Sequence, residues 1–170
     1  MIIYTLHSKL PSANADEFYN FMIDPPAEVY ANWLPKEHYK FHVVKRSNES
    51  PTGDLVYFDQ NIGNKYRLKF YAKIKLAHKP NRIVFQMRKC GVNLPGFLEL
   101  DFSDTGEGLH LTETLKIGWN GFGAICDPFI KIAFGKGFFN EFKEHHKREW
   151  KNLSDILQSN SLTESNVFLE

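Results

Sequence analysis

Hydrophobic positions between Asp127 and Gln158 recur with a helical period. Asp127-Pro128 supplies a capping side chain and then a proline at the first helical position, a strong start signal. With Phe138 set at zero and about 100° per residue, Phe134, Phe142, Leu153 and Ile156 fall within about 60° of it. Phe139, Trp150 and Leu157 widen this stripe, while Glu144, Lys147 and Lys151 take the far side. The pattern predicts one long helix over 127–158, which Gly135 and Gly137 either kink or open to a close neighbour. Two residues break it. His145 and Glu149 sit about 20° either side of Phe138, one turn apart, inside the apolar arc.

The rest of the chain alternates with the period of strands. Ile2 to His7 reads as a strand, and Ser12 then caps a short helix over 13–22. Asp24-Pro25-Pro26 ends that helix, and a second over 27–33 stops before Pro35. Further strands are predicted at 39–45, 55–61, 65–77, 82–89, 96–102 and 109–117. Turn signals separate them: Ser47 to Gly53, Gly63-Asn64, Lys79-Pro80-Asn81, Leu94-Pro95-Gly96 and Thr105 to Gly108. In the strand over 65–77, Tyr66, Leu68, Phe70, Ala72, Ile74 and Leu76 face one way, and Lys65, Arg67, Lys69, Lys73 and Lys75 the other. One wet and one buried face is the mark of an antiparallel sheet. The order is strand, two short helices, six strands and a long helix, with a polar tail from Ser159. It predicts a single α+β domain over 1–158, in which the long helix buries its stripe on the concave face of a curved antiparallel sheet.

Composition narrows the function only modestly. The 170 residues carry a net charge of +1, which gives no basis for a nucleic-acid partner. No apolar run is long enough to span a membrane, and MIIYTLHSKL lacks the features of a leader, so a cytoplasmic protein is expected. Cys90 and Cys126 then read as free thiols, with a single disulfide left open. Aromatic residues make up 15 %, fifteen of them Phe, which suits either a Phe-packed core or an aromatic-walled cavity. There is no G-x-S-x-G elbow, phosphate-binding glycine loop or dinucleotide fingerprint.

Chemistry is expected where polar groups fall on apolar faces. His145 and Glu149 point the same way and either share a cation or form a hydrogen-bonded pair. Glu113 shares a face with Leu109, Leu111, Leu115 and Ile117, as a ligand, a general base or an ion-paired carboxylate. His146 reads as a core histidine with a satisfied hydrogen bond. His38 is either a ligand, with His42 close enough to replace it, or a loop histidine packed on Trp33. Asp59 is ambiguous: Leu55 and Tyr57 put it inward, whereas Val56, Phe58 and Ile62 put it outward.

The element order resembles the helix-grip fold of the START-like superfamily, which includes polyketide cyclases, plant pathogenesis-related proteins and lipid-transfer domains. That resemblance implies a cavity for an apolar ligand between sheet and helix. A narrower one rests on Tyr30-Ala-Asn-Trp33-Leu-Pro35-Lys-Glu-His38, Phe58-Asp59-Gln-Asn-Ile62-Gly63 and His145-x-x-x-Glu149, which are similar to diacetylphloroglucinol hydrolase-like proteins. It implies a divalent ion, zinc by preference, held by His38, Asp59, His145 and Glu149, with Tyr30 orienting a phenolic substrate. Asp59 stands where the family pattern has Glu. The function expected is a metal-dependent hydrolase of a small hydrophobic substrate, with Tyr30 and Glu113 as catalytic residues. The alternative is a non-catalytic carrier of a lipophilic small molecule. A homodimer is left open.

Overall fold

A computed structural model describes residues 1–63, 65–119 and 127–167, with the side chains of residues 127, 129 and 159–167 outside the description. Among these residues seven strands form one antiparallel sheet: β1 (Ile2–Leu10), β2 (His38–Lys45), β3 (Leu55–Ile62), β4 (Tyr66–His78), β5 (Arg82–Lys89), β6 (Val92–Thr105) and β7 (Gly108–Ile117). The helices are α1 (Ala15–Ile23), α2 (Ala27–Trp33), α3 (Asp127–Ala133) and α4 (Lys136–Val167). The sheet order is β1-β7-β6-β5-β4-β3-β2. Six strands therefore meander hairpin to hairpin, and β1 closes on β7. This is the α+β helix grip that the element order predicts.

The long helix buries the stripe that its periodicity requires. Phe138, Phe142, Trp150 and Leu153 are all buried. Trp150 and Leu153 join Phe18, Trp33, Phe85 and Leu111 in one cluster. Phe138 and Phe142 join Ile62, Leu115 and Ile117 in another. The predicted single helix is interrupted. α3 ends at Ala133, and α4 restarts at Lys136 after Phe134-Gly135. A Cβ at Gly135 would lie 2.5 Å from the Lys131 carbonyl oxygen, so glycine is what lets the chain pass through the break. α4 also runs on to Val167, past the expected end at Gln158.

Three local expectations are corrected. The cap of α1 is Asn14, not Ser12: its side chain accepts from the Glu17 backbone N–H at 2.9 Å. Leu94-Pro95-Gly96 is not a turn but part of β6, where an irregularity between Gln86 and Arg88 accommodates Pro95. The turn is Cys90-Gly91, both at positive φ, the two-residue hairpin geometry that matches strand twist. Leu76 is the third. A bulge between Ile74 and Leu76 reverses the alternation, so Leu76 is 40 % exposed and Ala77 packs against the core instead. Cys90 is an exposed free thiol, while Cys126 lies outside the described residues.

The bulge gives two leucines opposite fates. Leu153→Ala is expected to lower unfolding free energy by about 2–5 kcal/mol through a core cavity. Leu76→Ala is expected to change it by less than about 1 kcal/mol. Urea denaturation of both variants checks the difference, and similar losses would contradict the bulge.

Candidate functional site

The site is built where α2 turns into β2. Trp33 ends α2, and the backbone N–H groups of Glu37 and His38 both donate to the Leu34 carbonyl, at 3.1 and 2.8 Å. Lys36 adopts φ 71°, which completes this tight corner. His38 is therefore the first residue of β2, with its side chain buried against α2. Tyr30 stacks on its ring at 4.5 Å between centroids, and Trp33 meets it edge-on at 4.8 Å. Trp33 Nε1–H donates to the Glu149 carbonyl at 2.5 Å, and Asn152 Nδ2–H donates to the Trp33 carbonyl at 3.1 Å. These two bonds fix α4 against the corner.

The clamp brings His38, His145 and Glu149 together. Each offers one ligand atom, and the three atoms lie within 4.8 Å of one another, all buried. His38 Nε2 is 3.3 Å from Glu149 Oε1, and His145 Nε2 is 3.6 Å from Glu149 Oε2. Donors about 2.1 Å from a tetrahedral ion stand roughly 3.4 Å apart, which the two Glu149 separations approach. The group as a whole, within 4.8 Å, would draw in around a shared cation. Among the described residues, the buried Nε2 of His38 makes no well-formed hydrogen bond, while the ring also faces the Tyr30 backbone. Buried polar atoms are rarely left so.

Glu37 orients the group, and sequence reasoning missed it. Its buried carboxylate accepts from Gly63 N–H at 3.2 Å, Arg148 at 2.5 Å and His145 Nδ1 at 2.7 Å. Burial raises the acid's pKa, but His145, Gly63 and Arg148 outweigh that and hold it at about 2. An ionised carboxylate only accepts, so Nδ1 of His145 donates to Glu37 and Nε2 is directed toward Glu149. The missed signal was parity. Glu37 lies next to His38 in a loop, and no periodicity assigns a direction there. Gly63, at φ +61°, lets the turn after β3 approach without a side chain that would strike Glu141.

The remaining charges are set mainly by burial. His38 is pushed down to about 4 by desolvation, against the opposing charge of Glu37. Glu149 is pushed up to about 8 by desolvation, with Glu113 and Glu37 adding to the effect and His145 and His146 opposing it. Tyr30 is raised well above 10, first by burial and then by Glu149 and Asp59.

Asp59 is not brought to the group, contrary to the expectation from resemblance. Val56, Phe58 and Ile62 set the phase of β3, so Asp59 lies on the outer face. It pairs there with Arg67 at 2.6 Å and Lys69 at 3.6 Å. The inward place beside His38 belongs to Gln60, its cross-strand partner, whose Oε1 accepts from Tyr30 Oη at 3.2 Å. Glu113 is also apart from the group. It is buried on β7 and bonded to His146 and Trp150. His146 is thus the bonded core histidine that its position on the stripe predicts. His42 is elsewhere on β2, beside Tyr57.

Between sheet and helix lies a cavity of about 430 Å³. Its walls are largely apolar, with Phe58, Phe85, Leu98, Leu115 and Phe138 among them, and Tyr30, His145 and Glu149 are its polar lining near the corner. Glu113 also reaches it.

No protein-family profile matches the chain, and no curated protein matches it. Solved structures do. A START superfamily protein from Mycobacterium smegmatis superposes with a TM-score of 0.63 at 14 % identity, over 92 % of this chain and 97 % of that one. The fold is START-like. TTHA0849 from Thermus thermophilus gives 0.63 at 16 % identity, over 94 % and 99 % of the two chains. The Aha1 dimer from Colwellia psychrerythraea gives 0.59 at 10 % identity, over 93 % and 97 %. Identities this low carry the START-like fold and nothing of its chemistry. Among the described residues no helix is long and apolar enough to cross a membrane.

The two acids of opposite placement separate cleanly by mutation. Glu37→Ala is expected to cost about 3–5 kcal/mol, because Arg148 and the His145 N–H lose a buried acceptor. Asp59→Ala is expected to cost no more than about 1 kcal/mol. Equilibrium denaturation of both variants at neutral pH measures the contrast.

Proposed function

We propose that this START-like domain is a metal-dependent hydrolase acting on a small hydrophobic substrate, aromatic or acyl-phenol in character, held in the cavity. One observation carries the reading. His38 is buried with no well-formed hydrogen bond at its Nε2, which lies 3.3 Å from a buried carboxylate that has a second imidazole beside it. Two imidazoles and one carboxylate suit Zn²⁺, and Mn²⁺ or Fe²⁺ are chemically acceptable. His38, His145 and Glu149 are the proposed ligands, three protein donors rather than the four that the narrower resemblance implies. The resemblance implies Asp59 as the fourth ligand, but the inward place beside His38 is held by Gln60, a neutral amide.

A divalent ion at this position would polarise a carbonyl and bring bound water toward a pKa of about 7. The chain's own groups supply the rest. Glu37 holds His145 in one orientation. Tyr30, fixed by Gln60 and by stacking on His38, presents its hydroxyl along the cavity wall to orient a phenolic or carbonyl oxygen. The phenylalanine and leucine walls desolvate the apolar part of the substrate. Similarity to diacetylphloroglucinol hydrolase-like proteins at Tyr30, His38, His145 and Glu149 supports hydrolysis of a carbon–carbon bond in an acylated phenol.

The second reading, a carrier of a lipophilic molecule, needs only the apolar cavity. The two readings separate on metal. Protein purified without chelator is expected to hold about one equivalent of Zn²⁺ or Mn²⁺ by elemental analysis, and His145→Ala with Glu149→Ala is expected to hold none. Less than a tenth of an equivalent, with no uptake on addition, would leave the carrier. Glu149 must lose its proton to ligate. Its raised pKa of about 8 means that binding at pH 7 should release about one proton, with affinity rising with pH and levelling above 8. Calorimetry in two buffers of different ionisation enthalpy measures that release.

The cavity has its own test, shared by both readings. Leu115→Trp is expected to abolish displacement of an environment-sensitive dye by hydrophobic ligands while leaving metal content unchanged. An unchanged dye affinity would place the ligand elsewhere.

A further inference from the structure

A second set of polar groups lies beside the first, between α4, β1 and β7, and is used by nothing described above. Ser8 Oγ lies 2.9 Å from His146 Nε2, and His146 Nδ1 lies 2.5 Å from Glu113 Oε2. Trp150 Nε1–H donates to that same carboxylate oxygen at 3.0 Å. His146 and Glu113 are buried, and Ser8 is half-buried on β1, the edge strand of the sheet. Ser8 opens onto a surface groove that it shares with Ser12, Trp150, Lys151 and Ser154. We propose that Ser8, His146 and Glu113 form a nucleophile–base–acid triad that hydrolyses small neutral esters in this groove.

The hydrogen-bond directions give the roles. Glu113 accepts from the Trp150 N–H, which also lies 3.0 Å from His146 Nδ1, and it stands at hydrogen-bond distance from that Nδ1. With Nδ1 protonated toward the carboxylate, the neutral ring offers Nε2 as the acceptor facing the Ser8 hydroxyl. That chain of nucleophile, base and orienting carboxylate, at these separations, is what activates a serine. The triad draws its members from β1, α4 and β7, so no local sequence motif announces it. The groove argues for a neutral substrate. Lys9, Lys147 and Lys151 on its rim are each paired with a carboxylate: Glu107, Glu144 and Asp155. Ser12 and Ser154 also line the groove.

The reaction balances without a co-reactant beyond water. Ser8 Oγ bonds to the ester carbonyl carbon while its proton passes to His146 Nε2. The bond from that carbon to the alkoxy oxygen breaks, and the departing alcohol takes the proton. Water then gives a proton to Nε2 and attacks the acyl-serine. The carboxylic acid leaves, and Ser8 recovers its hydrogen.

A biotinylated fluorophosphonate tests this directly, because an activated serine displaces its fluoride and keeps the phosphonyl group. Intact protein is expected to be labelled at Ser8, located by peptide mass spectrometry, and Ser8→Ala is expected to lose the label. His146→Gln should slow labelling by about 100-fold or more. EDTA should not change the rate, so the result is independent of the metal reading. Folding of each variant is checked by circular dichroism. Absence of label at Ser8 in folded wild-type protein would overturn the proposal, as would an unchanged rate in folded His146→Gln.

Discussion

The carboxylate of Glu37 is the constraint on which the site's geometry depends. It is buried, and it meets three donors from two parts of the fold: the turn after β3 through Gly63, and α4 through His145 and Arg148. An isolated carboxylate would not remain ionised there. With all three partners in place it does, which means that the corner, the turn and the helix must assume their positions together. Removing any one leaves a buried charge or donor uncompensated. The acid therefore does two things: it fixes the long helix on the concave face, and it fixes the orientation of an imidazole that lines the cavity.

Much of the architecture could be read from the chain because it follows from periods. The stripe through Phe138, Phe142 and Leu153 needs a broad apolar surface, and the alternating strands supply the only one. Departures came where a single residue shifts a phase. One bulge after Ile74 turns Leu76 outward, and nothing in the local alternation marks it. The break at Gly135 was foreshadowed by the glycine, but its cause is a carbonyl contact that appears only in three dimensions. The site was legible in the same uneven way. His145 and Glu149 stood out because helical geometry put charge in an apolar arc. Asp59 failed because two phases of β3 competed, and the run Val56, Phe58, Ile62 won. Gln60, one residue on, took the inward place. Glu37 had no period at all, so its importance could not be read before the corner was seen.

Adjacent histidines on one helix are often interchangeable in a sequence argument. The structure separates them. Successive residues of a helix are rotated by about 100°, so His145 and His146 address different elements. His145 reaches Glu37, and His146 reaches Glu113 on β7. Each imidazole thus has its own buried carboxylate, and each presents its other nitrogen elsewhere: His145 toward Glu149, His146 toward Ser8.

This pairing makes the rotation of α4 about its axis a quantity that the fold must hold tightly. A turn of the helix by one residue would bring His146 to the corner and carry His145 away from Glu37, breaking both carboxylate–imidazole bonds at once. Packing of aromatic side chains alone tolerates such adjustment, since the stripe is broad and phenylalanines fill a range of positions. Directional bonds do not tolerate it. The Trp33 indole bound to the Glu149 carbonyl and the Asn152 amide bound to the Trp33 carbonyl act on the backbone and flank of α4, about one and two turns from the histidines. They set the helix's rotation independently of the groups that would do chemistry. That separation lets the apolar walls of the cavity vary with the ligand they enclose while the polar groups near the corner keep one geometry.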